Sequence, residues 1–189
     1  MSFEFCEKES NGVIMIRPHT FVDERGIYKK NFEKNIFREN GYNFEFTEWS
    51  DIYSNKGVIR GLHYQMECSQ AKLLHVVKGS IYDVSIDLRK DSKTFGKWVG
   101  MILKENDHTQ IYIPEGFAHG FLALEDDTIF SYQCTGKYIP EACGGIIYND
   151  MDLNIKWPIE LVDEIILSEK DANAMSFKEY CEKVCIKRY

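Results

Sequence analysis

The chain has 189 residues, 44% of them hydrophobic and 28% charged, the balance of an ordinary folded protein rather than of a disordered or fibrous one. Its 23 Lys and Arg against 30 Asp and Glu leave a net charge of −7, so the surface as a whole repels a polyanion and nucleic acid is not expected as a partner. No charge-free apolar stretch approaches the roughly 20 residues of a membrane-spanning helix, and Met1-Ser2-Phe3-Glu4-Phe5-Cys6-Glu7-Lys8 has no apolar core, so neither a membrane nor export is expected. A small anion such as a nucleotide diphosphate remains possible, because a local Arg or Lys cluster is felt over about 8–10 Å.

In chain order, the apolar run at 13–16 predicts a first strand, and Glu33-Lys34-Asn35-Ile36-Phe37-Arg38-Glu39-Asn40-Gly41 predicts a short helix closed by a glycine. The β-branched and aromatic runs at 72–77, 80–88, 98–103, 109–114 and 128–133 predict further strands. Lys78-Gly79-Ser80 and Lys104-Glu105-Asn106-Asp107 are expected to close hairpins between them. Polar and apolar residues largely alternate over 80–88, so one face of that strand lines a core or a cavity. After Trp157-Pro158, Ser168 with the carboxylate behind it predicts a helix start, and 176–184 a terminal helix. Many short strands with helices only on the flanks predict an all-β sandwich or barrel, and without repeat or linker residues 1–189 are expected to form one domain.

The cysteines Cys6, Cys68, Cys134, Cys143, Cys181 and Cys185 form no CxxC pair, which points to a reducing cytoplasm. Cys181 and Cys185, four apart in a helical tail, are read as packing rather than as a metal clip.

Two segments resemble the paired motifs of the cupin superfamily, a small β-barrel whose mouth usually holds a metal: Gly57-Val58-Ile59-Arg60-Gly61-Leu62-His63-Tyr64-Gln65 with Lys72 and Gly79, and Pro114-Glu115-Gly116-Phe117-Ala118-His119. A metal-binding cupin offers two His around one residue, a Glu, and a third His. Here Gln65 and Lys72 stand in place of the second His and the Glu, and an ammonium repels a cation, so no metal or other cofactor is expected. A longer ordered resemblance runs from about Phe21 to Asp171. It comprises Phe21-Val22-Asp23-Glu24-Arg25-Gly26, the Arg60-Gly61-Leu62-His63 block, Gln70-Ala71-Lys72-Leu73, Asp83-Val84-Ser85-Ile86-Asp87-Leu88-Arg89, Ser92-Lys93-Thr94-Phe95-Gly96-Lys97-Trp98, Pro114 to Phe121, Asn149-Asp150 and Trp157-Pro158. Together these resemble the dTDP-4-dehydrorhamnose 3,5-epimerase family.

The resemblance implies a cupin-like jelly-roll β-barrel with short flanking helices, a homodimer whose N-terminal strands cross to the neighbour, and a nucleotide-diphosphate sugar as substrate. Inverting a carbon beside a ketone needs a base, charge for the enolate, and an acid on the other face. The family's base falls on His63, its orienting carboxylate on Asp171, its enolate cation on Lys72 and its proton donor on Tyr132. Its diphosphate grip falls on Arg25 and Arg60, and other lining residues on Phe21, His119, Phe121 and Tyr138. Each position also has a structural reading: a strand His is more often a hydrogen-bonded core residue, Tyr132 a core aromatic, Asp171 a helix-cap residue, and Arg25 beside Asp23 a surface ion pair. His19, His75 and His108 carry no pattern.

Three positions depart from the family: Lys30, Glu48 and Ser50 stand where Glu, Gln and Asn surround the thymine base. Lys30 can only donate and so does not suit thymine N3, which implies a cytidine or guanosine carrier unless a neighbour takes over the base contact. The rival classes are a metal-dependent oxygenase, against which Gln65 and Lys72 argue, and a sugar-nucleotide-binding module without catalysis.

Overall fold

The computed structural model describes residues 3–8 and 11–186; Met1 and Ser2, and the side chain of Cys185, lie outside the described residues. In chain order the strands are β1 (Phe3–Lys8), β2 (Val13–Pro18), β3 (Thr20–Asp23), β4 (Gly26–Lys29), β5 (Phe46–Ser54), β6 (Ile59–Gln65) and β7 (Lys72–Lys78). They continue as β8 (Ser80–Asp87), β9 (Trp98–Lys104), β10 (Gln110–Ile113), β11 (Phe117–Ala123), β12 (Thr128–Thr135) and β13 (Cys143–Gly145). The helices are α1 (Lys34–Glu39), α2 (Glu169–Ala172) and α3 (Phe177–Ile186). One sheet has the order β1-β2-β10-β7-β12-β5 and the other β13-β6-β11-β8-β9, while β3 and β4 form a separate hairpin. The two sheets face each other as a jelly-roll barrel, and the predicted strands and flanking helices fall within one or two residues of their expected places.

The two expected hairpins are not hairpins. β7 lies in the six-stranded sheet and β8 in the five-stranded one, and likewise β9 and β10 lie in opposite sheets. Local turn chemistry sets where the chain changes direction; which strand it then pairs with is a long-range matter. Gly79 makes the first corner with φ +79°, where a Cβ would meet Thr128 Oγ1 at 2.7 Å.

Three apolar clusters hold the layers. Leu74, Val76, Ile81, Ile111, Phe117, Phe121 and Phe130 fill the closed end between the sheets. Leu62, Val84, Ile86, Leu122, Ile146 and Trp157 cover the outer face of the five-stranded sheet, sealed by the C-terminal segment with Cys181 among the packed residues. Phe37 of α1 packs with Ile14, Ile16, Phe44 and Leu73 on the outside of the other sheet. Each such side chain contributes about 1.5–3 kcal/mol by leaving water.

The C-terminal segment also reaches the barrel mouth. Ile59 N–H donates to Ile166 O at 3.0 Å and Ile166 N–H to Gly57 O at 2.9 Å, which lays residues 166–171 beside β6.

Candidate active site

A regular strand would put Arg60 and His63, three residues apart, on opposite faces. Instead, β6 changes phase between them: His63 pairs with His119 and Arg60 with Phe121, with an irregularity between. Gly61 occupies this step with φ +123°, and a Cβ there would meet Gly120 Cα at 2.5 Å. Two glycines passing at contact distance thus let both side chains line one cavity.

That cavity, of about 440 Å³, holds Arg60, His63, Lys72, His119, Phe121, Tyr132 and Asp171. A second lobe of about 430 Å³ adds Glu48, Gln65, Gln70, Cys134, Tyr138 and Cys143. His63, Lys72, Tyr132 and Lys170 line both lobes.

His63 Nε2 lies 2.6 Å from Asp171 Oδ1. A carboxylate only accepts, so Nε2 carries the proton and Nδ1 is left with the lone pair. Burial holds His63 below the usual imidazole value, the Asp171 hydrogen bond and charge opposing it. Asp171 is buried, and its backbone N–H donates to Ser168 Oγ at 3.1 Å, so Ser168 is the cap of α2 and the Asp171 carboxylate is left to His63.

Facing His63 from the other sheet, Lys72 on β7 pairs in register with Cys134 on β12. Its Nζ lies 5.8 Å from the centre of the Tyr132 ring. Burial pulls Lys72 below the ordinary ammonium range, opposed by Cys134, Asp83 and Cys143. Burial also raises the Tyr132 phenol, while a hydrogen bond with Ser50, its register partner on β5, lowers it. Cys134 is pushed up to about 11 by burial.

The remaining expected residues divide. His119 and Phe121 are inside; Arg60 stands at the mouth, its Nε donating to Ser54 Oγ at 3.2 Å. Tyr138 and Glu48 line the second lobe, where Gln70 donates to Glu48 Oε1 at 3.5 Å. Phe21, Arg25 and Lys30 are not brought to the cavity by this chain. Phe21 and Arg25 lie on the β3–β4 hairpin, with Arg25 paired to Asp23, and Lys30 is paired to Glu33 at 2.7 Å. Ser50 stands in register with Tyr132 on the neighbouring strand and lines neither lobe. His19, His75 and His108 line neither lobe.

Gln65, where a metal-binding cupin has His, is held by backbone: its Nε2 donates to Cys68 O at 2.6 Å and Lys137 O at 2.9 Å, and its Oε1 accepts from Ile139 N at 2.9 Å. This staple carries Tyr138 to the cavity. No group of three or more His, Cys, Asp or Glu suited to a metal occurs among the described residues. No helix among them is long and apolar enough to cross a membrane.

Two residues escaped the sequence reading. Lys170 sits beside Asp171 and lines both lobes. Asp83 is buried inside the barrel, 2.6 Å from His119 Nε2; the alternation noted over 80–88 was the signal that could have found it.

A jelly-roll barrel with an imidazole on one sheet, and an ammonium and a phenol on the facing one, defines a class: β-barrel proteins whose cavity can take a proton from a bound ligand on one side and offer one from the other. The description of the family model that matches residues 7–179 is dTDP-4-dehydrorhamnose 3,5-epimerase. The dTDP-4-dehydrorhamnose 3,5-epimerase of Methanothermobacter thermautotrophicus is 46% identical over 177 residues, covering 94% of this chain and 96% of the relative. Among solved structures, the Elizabethkingia anophelis dTDP-4-dehydrorhamnose 3,5-epimerase superposes with TM-score 0.87 at 40% identity, over 94% of this chain and 97% of that one. The Legionella pneumophila dTDP-6-deoxy-D-glucose-3,5-epimerase, solved with dTDP-4-keto-L-rhamnose, gives 0.89 at 39% identity over 94% of each chain. The chain belongs to the dTDP-4-dehydrorhamnose 3,5-epimerase family and is an isomerase.

Proposed function

We propose that the chain inverts C3 and C5 of a dTDP-linked 4-keto-6-deoxyhexose, converting dTDP-4-dehydro-6-deoxyglucose to dTDP-4-dehydrorhamnose for deoxysugar and surface-polysaccharide synthesis. The observation that carries this reading is the placement of His63 and Tyr132 on facing sheets with Lys72 beside the phenol. A ring bound between them has its C4 carbonyl toward Lys72. The lone pair of His63 Nδ1 takes the proton from the carbon beside that carbonyl, the electron pair moves onto the oxygen, and the ammonium stabilises the enolate. Tyr132 returns a proton to the same carbon from the opposite face, and inversion results. Asp171 holds His63 in the needed tautomer and stabilises the imidazolium once formed.

Arg60 at the mouth suits the diphosphate, and the lobe of Glu48 and Tyr138 suits the base. The relatives' dTDP substrates support thymidine as the carrier. The departures at Lys30 and Ser50 weigh little against this, since neither residue lines the cavity of its own chain.

Phe21 and Arg25 serve the site of a second copy in a homodimer. Two features support this. The hairpin exposes Phe21, Val22, Ile27 and Tyr28. Strand β5 inverts the usual pattern: Glu48, Ser50 and Ile52 face inward, while Trp49 and Tyr53 are 71% and 68% exposed. Exposed aromatics in a row mark a surface that is covered in the assembly.

Proton NMR in deuterated water with dTDP-, CDP- and GDP-linked 4-keto-6-deoxyglucose tests the reading. Deuterium entering at C3 and C5 of the dTDP sugar with inversion is expected. No exchange with any of the three overturns the activity, and preference for CDP or GDP overturns the carrier.

A further inference from the structure

We propose that Asp83 is a positioning residue of this site: the counterion shared by His119, which it holds by a hydrogen bond, and Lys72, which it holds by charge, so that both face the bound sugar. This role depends on the epimerase reading above.

Asp83 projects from β8 into the barrel and is 1% exposed. Its Oδ2 lies 2.6 Å from His119 Nε2, and both side chains are buried, at 1% exposure for Asp83 and 8% for His119. No Lys or Arg of the described residues pairs with it at ion-pair distance. On β8 its neighbours on the inward face are Ile81 and the buried Ser85, and on β11 it stands in register with Phe121 beside His119, so apart from His119 little there offsets the cost of burying a carboxylate. A buried charge kept in such a place, beside a cavity that holds a lysine, is better explained by what it does to that lysine than by stability.

Lys72 likewise has no ion-pair partner among the described residues. The groups facing it are Arg60 and His63 from β6, His119 from β11, Tyr132 and Cys134 from β12, Tyr138 from the loop beyond it, Cys143 from β13, Lys170 and Asp171 from α2, Glu48 from β5 and Asp83 from β8. Lys170 repels it. The Glu48 charge acts on Tyr132, Cys134 and Tyr138. Asp83 is the carboxylate whose charge opposes the loss of the Lys72 proton on burial. With Asp83 neutral, the amine gives up its proton at lower pH, and an uncharged amine cannot stabilise an enolate as an ammonium does.

The test uses the full chain with Asp83→Asn, which keeps shape and a hydrogen-bonding oxygen for His119 but removes the charge; Asp83→Ser serves where the asparagine variant does not fold. NMR titration of isotopically labelled lysine side chains, with the Lys72 signal assigned by Lys72→Arg, reads the free protein. The pH profile of solvent deuterium uptake by dTDP-4-keto-6-deoxyglucose reads catalysis. The Lys72 midpoint is expected to fall by about one pH unit, a tenfold change in its acid constant, and the alkaline limb of exchange to fall with it. A purely structural Asp83 lowers the melting temperature and leaves the Lys72 midpoint in place, which overturns the role. Wild-type protein that exchanges no deuterium overturns the epimerase reading instead, whatever Lys72 does.

Discussion

The barrel interior and the β3–β4 hairpin each carry residues singled out in the sequence, on opposite physical terms. Inside, His63, Lys72, Tyr132 and His119 project from four strands of two sheets, and Asp171 and Asp83 fix the two imidazoles at 2.6 Å each. On the hairpin, Arg25 is 84% exposed on its side chain and meets only the neighbouring Asp23. An exposed ion pair of this kind contributes little, so Arg25 is free to exchange Asp23 for a better anion. The difference teaches that packing fixes the geometry of the interior side chains, whereas the side chains of the hairpin are held only by their own neighbours in sequence.

The largest expected effect lies inside. Replacing His63 by Ala removes the base, and both deuterium uptake and inversion should fall by about 10²–10⁴-fold in kcat; retention of either would break the assignment of the base. Tyr132→Phe is expected to separate the two processes. Inversion drops by about 10²-fold while His63 still exchanges the proton on its own face, so NMR should find deuterium in sugar of unchanged configuration.

Asp171→Asn should cost about 10–100-fold in kcat/KM, because the His63 tautomer is no longer fixed. Its pH profile carries a sign. Asp171 opposes the burial that lowers His63, so without it the imidazole loses its proton at lower pH and the acid limb of kcat/KM moves to lower pH. An acid limb that moved upward would contradict the hydrogen-bonded pair. The smallest effect belongs to the hairpin: Arg25→Ala should raise KM about tenfold and leave kcat nearly unchanged. Mixing that variant with His63→Ala sharpens the comparison. Where Arg25 serves the neighbour, the active site of a mixed dimer has both wild-type residues and its KM returns to the wild-type value; where it serves its own chain, the active His63 site still lacks Arg25 and KM stays raised.

Much of the scaffold was legible because its signals are local. The strands at 72–78, 80–87, 98–104 and 128–135 announce themselves by β-branched runs, and the cap at Ser168 by its side chain. β5 was missed because its phase is inverted: Thr47, Trp49, Asp51 and Tyr53 point outward and the polar Glu48 and Ser50 inward, the reverse of a half-buried strand. β6 hides its register change in Gly61, where nothing in the residue names tells that Gly120 lies opposite.

Taken alone, the sequence determined the jelly-roll class, the family resemblance, and the identity of His63, Lys72, Tyr132 and Asp171 as the residues with the right chemistry. Only the tertiary structure decided that the expected hairpins are corners, that Asp83 meets His119, and that Phe21, Arg25 and Lys30 stand away from this chain's own cavity. Strand propensity and capping act over a few residues. The pairing of His63 with Asp171, 108 positions apart, depends on which strands the closed barrel brings together, and no local interaction encodes that.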